Sequence, residues 1–268
     1  MAVLLCRQLA KQPYYHEKLD LHIWSEQELC YVIYRYPLLS LDGLVNDSLI
    51  RWLAECLGMR ALAKRLSEER KNGERTENLL LLILQECNYE TAAEISAFKE
   101  TVIRLRRYSR EDYLHEQGTA LFALRRYKRA ENLFLEAKEA LDEHIRAEKE
   151  PAEKKKLQQK KADFYCDLAA VSMQLFNKKR ALEALYAAEL CAKTKRVLKM
   201  RYLISGEGPI SEEDRRAADS VRAAARAEAL EHPDCIALAE LFSKEKEEII
   251  RGSGERIAAW KKSYRRML

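Results

Sequence analysis

Twice in the middle of this chain, small residues recur among large apolar ones at a spacing that paired helices satisfy. The first set is Leu114, Gly118, Leu121, Tyr127, Ala130, Phe134 and Ala137; the second is Tyr165, Leu168, Ala169, Leu175, Ala181, Leu185 and Ala188. Each set runs at helical period, breaks at a turn after Leu124 or Leu175, and resumes. A mid-helix glycine such as Gly118 costs about 1 kcal/mol relative to Ala, which implies that another backbone comes close. Ala130, in an antiparallel second helix, is the small residue that admits this approach, and Leu121, Tyr127 and Phe134 fill the space around it. Composition agrees, because 34% of residues are charged while Gly and Pro number only 8 and 5. The abundant Ala, Leu, Glu, Lys and Arg lose little rotamer freedom in helices, so an all-α fold with few strands is expected.

Helix punctuation divides the rest of the chain. Ser25 with Glu28 reads as a capping box and Pro37 stops the helix that follows. Asn46 or Asp47 caps a helix striped by Leu49, Ile50, Leu53 and Leu57, and Gly58 suits its end. Further helices are expected from Arg60 to Gly73, from a Thr76 cap to Cys87, and from Glu90 to Tyr108, making residues 1–108 an N-terminal helical bundle. Ser109 with Asp112 opens a second section, 109–204. Gly206, Gly208 and Pro209 break it from a third, 205–268, where Ser211 with Asp214 caps an Ala-rich helix to Glu231, Pro233 interrupts, and two last helices flank Gly252 and Gly254.

Over residues 111–195 the pattern resembles the tetratricopeptide repeat family, with Leu114 where an early aromatic is usual and Ala169 where glycine is. The resemblance implies an α-solenoid of antiparallel helical hairpins. Ala130 and Ala181 lie 51 residues apart, beyond the family period of about 34. The excess falls in residues 138–161, nearly all Glu, Lys, Arg, Gln and Ala around Pro151, which suggests two lengthened helices forming a charged arm. Helix one of each hairpin lines a binding groove in this family. That places Asp112, His115, Thr119 and Phe122 on one face of the first hairpin and Asp163, Cys166, Ala170 and Met173 on that of the second, unless a neighbouring helix covers some of them. The Lys and Asn with which co-chaperone members grip a terminal carboxylate are absent from these positions, which disfavours a chaperone tail as ligand. The helices after residue 205 are expected to be degenerate repeats or end caps.

No nucleotide-binding, zinc-protease or serine-hydrolase motif occurs. The five histidines do not pair at helical spacing, so no metal site is expected. Cys87 or Cys166 would need a base that the sequence does not identify to act as a nucleophile, and both read better as small buried hydrophobes. A non-enzymatic scaffold without cofactor is therefore expected. Seven scattered cysteines, no apolar run of membrane-spanning length and no signal-like leader point to a cytoplasmic protein that does not engage a membrane.

Charge is uneven: residues 101–210 carry 24 basic and 16 acidic side chains. Arg125, Arg126 and Arg129, then Lys178, Lys179 and Arg180, recur near hairpin ends. They suit a solvated face or an acidic protein or peptide partner better than nucleic acid, since acids interleave and few aromatics lie among them. A helix-turn-helix reading of Ile50–Leu66 is weaker than a plain helix pair, because Lys64 and Ser67 are polar where that motif wants apolar residues.

Overall fold

The computed structural model describes residues 9–242 and 246–267. They form fourteen helices and one two-stranded hairpin, in two compact units, one ending at Ser109 and the other beginning at Arg110.

The first unit opens with strands β1 (Tyr14–His16) and β2 (Leu21–Ile23), antiparallel with Tyr14 opposite Ile23. Tyr14 and Ile23 are buried. The Tyr14 ring meets Trp52, whose indole N–H donates to the Gln12 carbonyl at 2.7 Å, so the hairpin is anchored on a helix. Helices α1 (Glu26–Arg35), α2 (Pro37–Ser40), α3 (Asp47–Glu55), α4 (Arg60–Lys71), α5 (Thr76–Cys87) and α6 (Ala92–Leu105) follow. Their core holds Leu29, Ile33, Leu39, Leu53, Leu66 and Leu80. The Ser25 hydroxyl accepts from the Glu28 N–H, while Glu28 returns to the Trp24 N–H rather than to Ser25. Asn46 caps α3 through the Leu49 N–H, and Gly58, at φ +72, ends it. The fragment Ile50–Leu66 lies in the α3–α4 pair.

Thr76, expected as a cap, is instead the first residue of α5, and Arg75 ahead of it makes no side-chain cap. Glu74 instead accepts from the Arg75 N–H and the Asn78 side-chain amide. The full capping box of this unit is Thr91 with Glu94, at the start of α6.

In the second unit α7 (Arg110–Ala123), α8 (Tyr127–Ala147), α9 (Pro151–Gln174), α10 (Lys178–Cys191) and α11 (Lys195–Ser205) pack each on the next. The α7–α8 and α9–α10 turns are copies of one another. Arg125 and Phe176 take left-handed φ of +59° and +58°. The next N–H reaches back five residues in each, Arg126 to the Leu121 carbonyl and Asn177 to that of Ser172, which is the Schellman closure.

Gly118 meets not a backbone but the Phe134 ring. A Cβ added there would lie 2.7 Å from two of its carbons, because an aromatic ring needs more room than the one methyl of Ala130. Ala130, Ala169, Ala181 and Leu185 are fully buried, Phe134 nearly so, and Tyr127 is half-buried.

Residues 138–161 span the junction of α8 and α9, with Pro151 as the first residue of α9. Outer positions are charged, but Leu141 and Ile145 pack with Ala137 and Phe164, with Leu114 and Leu157 against them. Asp142 on α8 binds Lys161 of α9 at 2.5 Å and Lys138 at 3.2 Å. Burial raises the Asp142 carboxyl, but hydrogen bonds and charge from Lys161 and Lys138 outweigh it and hold it below its ordinary 3.8. Lys161 is held above its ordinary 10.5, burial again being outweighed by Asp142. A depressed carboxyl stabilises the fold above its unfolded value and loses that contribution as pH falls through its folded one; a raised lysine does so below its unfolded value and loses it as pH rises. The pair therefore acts at full strength between about pH 4 and 10. Asp142→Asn should lower stability by about 1 kcal/mol at pH 7 and by less at pH 3, measured by urea unfolding at both values.

After α11 come α12 (Glu212–Glu231), α13 (Pro233–Phe242) and α14 (Lys246–Met267). Ser211 caps α12 through the Asp214 N–H. Asp214 pairs with Lys195 and Lys199, Tyr202 donates to Asp219, and Arg222 lies at Gly206. Contacts thus advance together along both helices, so α12 runs parallel to α11 and the pair is not a third antiparallel hairpin. Gly252 and Gly254 do not separate two helices either; α14 runs through both, at a cost of about 1 kcal/mol per glycine.

Candidate functional site

The helix pattern puts α7, α9 and α11 side by side, and their polar residues join into one chain of bonds. His115 on α7 stacks on Phe164 of α9, with ring centroids 4.1 Å apart and planes within 3°. Its Nε2 lies 2.9 Å from Asp167 Oδ2. The other Asp167 oxygen accepts from Arg196 of α11 at 2.6 Å, and the same guanidinium donates to Asp163 at 3.3 Å. Burial would lower the Arg196 pKa, but Asp167 and then Asp163 hold it above its ordinary value. Two of its five N–H donors face Asp163 and Asp167 in these bonds, and the side chain is 47% exposed.

A second cluster lies one turn earlier on α7. Glu111, almost fully buried, is reached by His144 Nδ1 of α8 at 2.9 Å and by Lys160 of α9 at 3.3 Å. Lys160 also binds Asp112 at 2.7 Å. A third cluster centres on buried Glu131 of α8, which accepts from Lys128 at 2.7 Å and from Arg180 of α10. Among the described residues no cluster of three metal-ligating side chains occurs.

Asp112, His115 and Asp163 lie in these clusters. Thr119 is exposed, and its hydroxyl donates to the His115 carbonyl. Phe122 is half-buried edge-on against Tyr127 at 5.4 Å, and Met173 is 37% exposed. Cys166 does not face this surface. It is fully buried with Ala162, Ala169, Leu185 and Val197, because α11 crosses α9 on that side. Burial pushes its thiol up to about 12 despite Arg196 nearby, so it stays protonated at neutral pH. The surface position belongs to Asp167, four residues after Asp163, and Arg196 completes it. Neither belongs to the groove face expected from sequence, although Asp163 and Asp167 share one helical stripe.

The basic residues gather at the hairpin turns. Arg125 sits at the α7–α8 turn, with Arg126 and half-buried Arg129 opening α8; Lys178, Lys179 and Arg180 open α10. Since Arg180 reaches Glu131 on α8, both turns lie at one end of the array. Phe176 stands 84% exposed there. No helix among the described residues is long and apolar enough to cross a membrane. Compared with protein-family models, with curated proteins and with solved structures, the chain matches none of them.

Proposed function

We propose that the second unit is a tetratricopeptide-like, non-enzymatic adaptor that binds a protein or peptide across α7, α9 and α11. The observation that carries this reading is the His115–Asp167–Arg196–Asp163 chain of bonds. A guanidinium already held by two carboxylates keeps its orientation, so its remaining donors meet a ligand carbonyl or carboxylate with little ordering cost. Thr119 and Met173 are exposed on the helices that carry it.

The test uses the full chain and its Thr119→Arg/Met173→Asp variant as baits in native lysate. Both positions lie outside the core, so melting temperatures should agree. Partners enriched by the parent should fall on the order of tenfold, equivalent to about 1.4 kcal/mol of binding; equal enrichment removes the face from the account.

One observation favours a second reading, a regulator binding nucleic acid at the hairpin turns. Neither α8 nor α10 has an acidic residue in its first turn, where acids are favoured; both carry cations there instead. Single-stranded RNA or duplex DNA that binds with affinity falling steeply with salt would support it; no binding at low salt removes it.

A further inference from the structure

A cleft of about 720 Å³ opens between α5 and α6 of the first unit, and no residue of α7–α11 lines it. Its floor is aliphatic, with Leu81, Val102 and Ile103, while four cations and one carboxylate line it. Glu77, that carboxylate, is taken by Arg106 at 2.6 Å. Arg75, Lys99 and Arg107 have no side-chain hydrogen bond or ion pair among the described residues. This excess is local, since residues 1–109 carry 15 basic and 15 acidic side chains.

We infer that this cleft binds an acidic amphipathic helix from a partner protein. An apolar floor takes the partner's apolar stripe, and the cations on the rim meet Asp or Glu on its flanks, as in helix-in-groove recognition. The chemistry disfavours other occupants. Ile103 is 57% exposed, so the floor lies at the surface, whereas small molecules select enclosed pockets. No aromatic side chain lines the cleft to stack a base, which single-stranded nucleic acid would need. Rim charges set specificity and association rate, and the floor holds the complex.

The test pans a displayed library of helical peptides against the full chain. Enriched sequences should carry Asp or Glu beside apolar residues at i, i+3 or i+4, and i+7. Labelled synthetic copies should bind the parent and lose at least about tenfold in affinity for both Lys99→Glu/Arg107→Glu and Ile103→Asp. All three altered positions are exposed, so circular dichroism and melting temperature should match the parent. Each of four results overturns the inference: no enrichment, enrichment without acidic excess, equal binding to the variants, or displacement by a single-stranded oligonucleotide as effective as by unlabelled peptide.

Discussion

Replacing Phe134 with Ala is expected to destabilise the second unit by about 3–5 kcal/mol, and to reverse the sign of a second substitution. The ring is 2% exposed. It fills the space beside Gly118 and lies 5.1 Å from His115, itself stacked on Phe164. A methyl added at Gly118 would meet ring carbons at 2.7 Å, and a ring this deeply buried has little room to yield. Gly118→Ala alone should therefore cost about 1–2 kcal/mol net, overpacking exceeding the gain in helix propensity. With Phe134→Ala in place the clash is gone and the same change should stabilise by up to about 1 kcal/mol. Urea unfolding of the four proteins in the cycle measures both signs. Gly118→Ala that stabilises the parent would sink this description of the hairpin.

The second large effect turns on which partner of a buried ion cluster is removed. Glu131 is 1% exposed, while Lys128 and Arg180 are about half exposed. Truncating the cations strands a carboxylate in the core. Lys128→Ala/Arg180→Ala should cost about 3–5 kcal/mol. Truncating the acid instead frees two cations that water can receive, and apolar replacements for buried ion pairs are often neutral. Adding Glu131→Leu to the double variant should thus restore most of the loss, as read from thermal and urea unfolding. A triple variant no more stable than the double would mean that Glu131 is not the source of the penalty.

Much of the second unit is legible because its code is local. Gly118, Ala130, Ala169 and Ala181 mark where helices crowd, Pro151 marks a first turn, and Ser211 with Asp214 marks a start; none requires knowing what lies elsewhere in the chain. What escapes the sequence depends on distant partners. Strands β1 and β2 have three residues each, too few for alternation to stand out, and hold their place through Trp52. The rotation of α9 that buries Cys166 and presents Asp167 is set by α11, which supplies both Val197 to the core and Arg196 to the surface. The loop from Gly206 to Ser211 brings α12 parallel to α11, and side-chain pairs such as Tyr202 with Asp219, rather than any turn signal, fix that path. Gly252 and Gly254 are helix breakers by propensity alone, yet α14 continues through them.

Site-specific photo-crosslinking tests the binding face most directly. A benzophenone amino acid is placed in the full chain at exposed Thr119 of α7 or Met173 of α9, or at exposed Tyr186 on α10, and the chain is irradiated in native lysate. Adducts to the same partner from Thr119 and Met173, and none from Tyr186, are the expected result. Adducts from Tyr186 alone, or equally from all three positions, would contradict a ligand held across α7, α9 and α11.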